Sequence, residues 1–151
     1  MRVGLILFAV GLAVVLAAAV WFRVVPMPAD TWHVEPADIT PPGRPNHDLR
    51  VGARAPVLEA SPEVAAAMLA DVAASEGAVI IAGDPASGHV TYVVRSAVMG
   101  FPDAISVRLV PVGDGTRIEM FSRARFGYSD MGVNTARMDR WIAAMRAQTG
   151  P

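Results

Sequence analysis

Apolar residues run without a charge from Val3 to Phe22, and no later stretch repeats that pattern. At a helical rise of about 1.5 Å per residue, twenty such residues cover about 30 Å, the thickness of a bilayer's hydrocarbon core. Arg2 and Arg23 flank the run, and Trp21 falls near its end, where an indole prefers the membrane–water boundary. Residues 1–23 therefore predict a transmembrane anchor. A rival reading is a cleaved signal peptide, because Ala17-Ala18-Ala19 offers small residues to a peptidase. Cleavage there would leave Val20, Trp21 and Phe22 as an apolar start. Only a short segment precedes the helix, so the expected orientation is N-terminus inside and folded part outside the cytoplasmic membrane.

Residues 24–60 carry seven prolines, which leave little room for a helix. This segment reads as a proline-rich linker or as an extended arm lying on the domain surface. The globular part is then residues 61–151. Ser61-Pro62-Glu63 is a helix start, with Ser as N-cap and Pro at the first helical position. Val64, Met68, Leu69 and Val72 supply an apolar stripe, and Gly77 ends it. Strands follow at Ala78–Ala82, His89–Ser96, Ala104–Val110 and Thr116–Arg125, each with alternating apolar positions or a short buried run. A last helix to Ala147 carries Met138, Trp141, Ile142 and Met145 at i, i+3, i+4, i+7 spacing. Short connections between strands imply an antiparallel meander. The expected fold is α+β: a transmembrane helix, then a four-stranded antiparallel meander flanked by two helices.

Composition narrows the function. The 151 residues contain no cysteine, so neither a disulfide nor thiol chemistry is available. All 13 basic residues are arginine. Net charge is −1 but uneven: residues 24–91 carry −6, and residues 92–151 carry +3. That second figure suits contact with anions and is too small for nucleic-acid binding.

The polar residues between Tyr92 and Trp141 have a pattern of their own. They cluster as Arg95-Ser96, Phe101-Pro102-Asp103, Ser122-Arg123-Ala124-Arg125 and Ser129-Asp130-Met131-Gly132-Val133-Asn134. Taking Asp114-Gly115 as a two-residue hairpin turn, Leu109 opposes Met120, Val107 opposes Ser122 and Ile105 opposes Ala124 on the core face. The other face then gathers Arg95, Arg108, Arg123 and Arg125, with Asp103 and Asp130 on adjoining loops. Guanidinium forks suit planar oxyanions. Two readings follow: an open anion-binding face, or arginines bracing Asp103, Asp130 and the Asn134 amide. Binding candidates are Arg95, Ser96, Asp103, Ser122, Arg123, Arg125, Asp130 and Asn134.

Catalytic signatures are weak. His33 and His47 lie in the proline-rich arm and His89 begins a strand, so no triad with Ser96, Ser122 or Ser129 is spelled out. His33, Glu35, His47 and Asp48 match no compact metal motif, and no cofactor motif appears. No catalytic residue, metal ligand or cofactor is assigned.

The motifs RS(x)4FPD, SRAR(x)4SDMGVN and R(x)3W lie between Arg95 and Trp141. On them the segment resembles the bacterial family known as domain of unknown function 1499, related members of which occur in plant plastids. Many members carry proline-asparagine-cysteine; here Pro45-Asn46 is followed by His47. The resemblance implies a membrane-anchored single domain and no established activity. The resulting expectation is a single-pass inner-membrane protein with a periplasmic domain, acting as a non-catalytic binding or assembly module. Its partner would be an anionic lipid headgroup or an envelope protein. The alternative is a hydrolase or transferase on an anionic envelope substrate, with Asp103 or Asp130 as acid/base.

Overall fold

The computed structural model of the protein describes residues 2–149. Its elements are α1 (Arg2–Val24), α2 (Ala29–Trp32), β1 (His47–Arg50), β2 (Val57–Leu58), α3 (Pro62–Ser75), β3 (Val79–Asp84), β4 (His89–Arg95), β5 (Pro102–Val112), β6 (Gly115–Ala124) and α4 (Val133–Gln148). The class is α+β, and the sheet is antiparallel with six strands, not four. The meander β3–β4–β5–β6 is extended by β1 and β2, which both pair with the outer edge of β6. Both added strands come from the proline-rich segment. Prolines limit helix there to short turns such as α2 and tolerate short edge strands beside them.

The β5–β6 hairpin turns on Gly113-Asp114, so Val112 pairs with Gly115. Gly113 has φ 58°, the positive value that a turn with glycine at its first central position requires. The pairing is shifted by two residues from the sequence expectation: Leu109 faces Ile118, Val107 faces Met120 and Ile105 faces Ser122. A shift of two preserves the faces, whereas a shift of one would exchange them.

One face holds the main core. Val90, Tyr92, Ile105, Val107, Leu109, Ile118 and Met120 pack with α3 and α4. The α4 stripe of Met138, Trp141, Ile142 and Met145 is buried as its spacing predicts. In α3, Met68, Leu69 and Val72 are buried, but Val64 is exposed and Ala65 turns inward instead. Ser61 caps α3, its side chain accepting the Val64 amide.

The opposite face is not open. Residues 25–35 lie across it, with Met27 and Trp32 packed against Ile81, Val93 and Ala104. The arm is tied down by its main chain. Arg123 donates to the Trp32 carbonyl at 2.5 Å, and Ser106 Oγ to the same oxygen at 3.2 Å. The Arg123 guanidinium lies over the Trp32 and Phe121 rings, 5.2 and 4.5 Å from their centroids. Further along, His33 stacks on His89 at 4.0 Å and bonds Thr91, while Arg108 pairs with Glu35. Residues 25–35 thus cover this face and β1 and β2 extend the sheet, so packing begins well before residue 61.

Candidate functional site

Strand alternation and the arm divide the sequence-derived candidates into two groups. Arg95, Arg123 and Arg125 share the arm-covered face. Arg95 donates to the carbonyls of Phe22 and Val25, and Arg125 to that of Pro26. Arg123 also bonds Ser106 Oγ and the Phe121 carbonyl, and no carboxylate pairs with it among the described residues. Burial pushes the Arg123 guanidinium down to about 10, and burial with the nearby Arg125 charge also lowers Arg95. Among the described residues these arginines bond main-chain carbonyls, most of them in the arm, and none pairs with Asp103 or Asp130. They brace the arm, because a proline-rich segment leaves carbonyls unpaired and a guanidinium satisfies several at once.

Asp103, Ser122, Asp130 and Asn134 come together on the other side, around a residue absent from the candidate set: Arg137. From the first turns of α4, Arg137 Nη2 donates to Asp103 Oδ2 at 2.7 Å. Its Nη1 donates to Asn134 Oδ1 at 2.8 Å and to Ser122 Oγ at 3.4 Å. Ser122 Oγ bonds Asn134 Oδ1 at 2.5 Å, and Asn134 Nδ2 donates to Asp130 Oδ2 at 2.6 Å. A continuous chain thus runs Asp103–Arg137–Asn134–Asp130, with Ser122 beneath it. Asn134 Nδ2 also reaches the Asn46 carbonyl at 3.4 Å, tying the network to the segment before β1. Arg137 belonged to the R(x)3W motif and sits four residues before Trp141. That helical spacing put it on the buried face of α4, which was the available signal.

The two carboxylates respond oppositely. Burial raises the Asp103 pKa, and the adjacent Arg137 charge and hydrogen bond only partly offset it. For Asp130, burial would also raise the value, but it is outweighed by hydrogen bonds from the Asn134 main chain and side chain and the Gly132 main chain, and the net shift is downward. The Gly132 and Asn134 amides lie at the start of α4, where an anion is favoured. Stabilisation from a lowered carboxylate pKa is present above the unfolded value and disappears as pH falls through the folded one. Asp130→Ala is expected to cost about 1–2 kcal/mol at neutral pH, the lower half of the usual range for a charged bond because the group is partly exposed. The gap in melting temperature between wild type and variant should close below about pH 4. A constant gap across a melting series from neutral pH to pH 3 would remove the carboxylate charge from this role.

Ser96 stands apart from the network. Its hydroxyl accepts the Phe101 amide at 3.0 Å and shapes the loop between β4 and β5. That loop and the one after β6 frame a pocket of about 360 Å³. Phe101, Phe126, Met131 and Val133 supply much of its wall, and its most buried lining residues are Asp103 and Arg137. Met131 is almost wholly exposed and has φ 54°, a positive value uncommon for a residue with a side chain. A larger, more open groove of about 740 Å³ lies between Arg54, Pro56 and the second half of α4. Its Arg50 is held by Asp48 and Asp139, and it contains none of the candidates. Among the described residues, no three His, Asp or Glu side chains converge as metal ligands.

A pocket with apolar walls and a paired, buried Asp–Arg floor can hold a molecule that is part apolar, part polar. No curated protein matches the sequence. The family described as a protein of unknown function (DUF1499) matches residues 29–145, from α2 in the arm to Met145 at the end of the α4 stripe. The matched span includes the arm from α2 onward, both added strands and every member of the Asp103–Arg137–Asn134–Asp130 network, and the chain belongs to the DUF1499 family.

Proposed function

We propose that this protein is a membrane-anchored, non-catalytic binding module of the cell envelope, held in the cytoplasmic membrane by α1 with its folded part in the periplasm. The anchor is supported by one helix long and apolar enough to cross a membrane, with mean hydropathy 2.9, and by its lack of cover from the rest of the protein. The observation that carries the binding reading is the pocket over Asp103 and Arg137, at the end of the sheet where α1 departs. Its ligand is a phospholipid headgroup. Among the pocket's polar groups, Arg137 keeps its Nε–H free of partners among the described residues and suits a phosphate. Asp130 and Asp103 outnumber it, which favours a headgroup that also carries an amine.

The test is native mass spectrometry of the full chain with short-chain phosphatidylethanolamine or phosphatidylglycerol. Phosphatidylethanolamine should be retained more strongly, and the double change Met131→Asp, Val133→Asp should reduce retention at least about tenfold without lowering the melting temperature. No retention of either lipid by the wild type would overturn the reading. Stronger phosphatidylglycerol binding would return the preference to a purely anionic headgroup.

A second reading has one observation in its favour. Asp103 lines the pocket with its pKa raised by burial, as a general acid requires. On that reading the protein is a hydrolase or transferase on an anionic envelope substrate. The direct bond from Arg137 opposes it by favouring the ionised carboxylate.

A further inference from the structure

Outside α1, the three large apolar side chains most exposed to water lie on the two segments that meet the last turn of that helix. Val98 is 81%, Tyr128 69% and Met131 95% exposed, and Phe101 and Val133 are partly exposed beside them. All five sit on the β4–β5 loop or on the segment between β6 and the first residue of α4. These two segments are fixed to the helix. Phe22 packs on Phe101 and Phe126, with ring centroids 4.3 and 5.2 Å apart, and Trp21 lies 5.5 Å from Phe126. Arg23 donates to the carbonyls of Ala97 and Val98 at 3.0 and 2.8 Å. Gly100 presses so closely on Arg23 that an added Cβ would lie 2.4 Å from its Cγ. The loop therefore cannot lie far from the helix end.

The apolar run ends at Phe22, so a bilayer crossed by α1 has its boundary at that residue. Side chains in contact with Phe22 then lie at the same depth. We infer that the loop 96–101 and the segment 125–133 rest in the headgroup layer of the bilayer, and that the pocket between them opens onto the leaflet. This rests on the proposed anchor and deepens it: the pocket's occupant is a lipid that enters sideways from the membrane. Exposed Val98, Tyr128 and Met131 are a liability in water but suit an interface that has both apolar and polar layers. Free of charge themselves, they sit on the two segments that frame the pocket, and Met131 lines it. The opposite end of the sheet, near Ala86, lies about 20 Å away along β4, given about 3.3 Å per strand residue.

The absence of cysteine makes the test direct. Single cysteines replace Met131, Val98, Ala86 or Leu12 in the full chain. Each is labelled with a polarity-sensitive nitrobenzoxadiazole dye and reconstituted into vesicles of phosphatidylethanolamine and phosphatidylglycerol. Labels at Met131 and Val98 should emit at shorter wavelength and be quenched by lipids spin-labelled near the headgroup at least about twofold more than the label at Ala86. The label at Leu12 should be quenched by lipids spin-labelled deep in the acyl chain. Labels at Met131 and Val98 that behave like Ala86, with Leu12 quenched, would overturn the inference and leave the anchor standing. An unquenched Leu12 label would overturn the anchor and the inference together.

Discussion

Arg137→Ala is expected to destabilise the folded protein by about 3–5 kcal/mol, the cost typical of removing one partner from a buried ion pair. A domain of this size commonly has a total stability of about 5–15 kcal/mol, so the variant should sit near the edge of folding. The size follows from what Arg137 holds. The side chains of Arg137 and Asp103 are only 6% and 12% exposed, and three acceptors, Asp103, Asn134 and Ser122, depend on one guanidinium. Removing it leaves the Asp103 carboxylate buried without a countercharge. Burial already raises the pKa of Asp103, and Arg137 is the group that lowers it. A carboxyl whose folded pKa is raised destabilises only when ionised. The loss in Arg137→Ala should therefore shrink on acidification as Asp103 takes up a proton, and grow as pH rises through its folded value. Denaturant unfolding of the full chain in mild detergent measures both effects. Asp103→Asn in the same background should recover part of the loss, since it removes the stranded charge. A cost below about 1 kcal/mol with no pH dependence would mean that water reaches the pair and that the network does not hold α4 to the sheet.

How much of this was legible in sequence depends on the range of the interaction. Alternation along β4, β5 and β6 is a local signal backed by burial of one face, and it predicted the strands and their inward residues. The helical stripe at Met138, Trp141, Ile142 and Met145 is equally local. The hairpin register was not, because Gly113-Asp114 and Asp114-Gly115 both offer turn chemistry, and the two pairings they produce differ by an even shift that leaves every face unchanged. The candidate site divides along the same line. Asp130 and Asn134 lie four residues apart beside a helix start, and they do bond. Asp103 and Arg137 are 34 residues apart, so their pairing depends on how α4 crosses the sheet. The arginines' carbonyl partners are hidden for a related reason. Ser106, Arg108, Glu119 and Arg123 alternate as a solvated face would, and nothing in those strands reports that another segment covers it. The signal lay elsewhere, in Val25, Met27 and Trp32: apolar side chains in a segment that cannot bury them by forming its own core.

Truncation within that segment should separate an arm from a linker. A chain beginning at residue 24 should remain folded, because it keeps every arm residue packed on the sheet, and lose only the apolar helix with the contacts of Phe22 and Arg23. A chain beginning at residue 40 should be destabilised by on the order of 5 kcal/mol. Val25 and Met27 are buried and Trp32 covers Arg123, and full burial of each such side chain contributes about 1.5–3 kcal/mol. Relative to the longer chain, the shorter one also strips the Val25 and Pro26 carbonyls from Arg95 and Arg125 and exposes Val93 and Ala104 to water. Circular dichroism melting and binding of a hydrophobic dye would compare the two chains. The expected result is a cooperative melt for the longer one, and a much lower melting temperature or dye binding at room temperature for the shorter. Equal melting of both would show that residues 24–39 contribute nothing to the fold and serve only as a tether, and would reopen the face of Arg95, Arg123 and Arg125 to a ligand. A collapse of the longer chain would instead place the decisive contacts at Phe22 and Arg23, and would make α1 itself part of the folded unit.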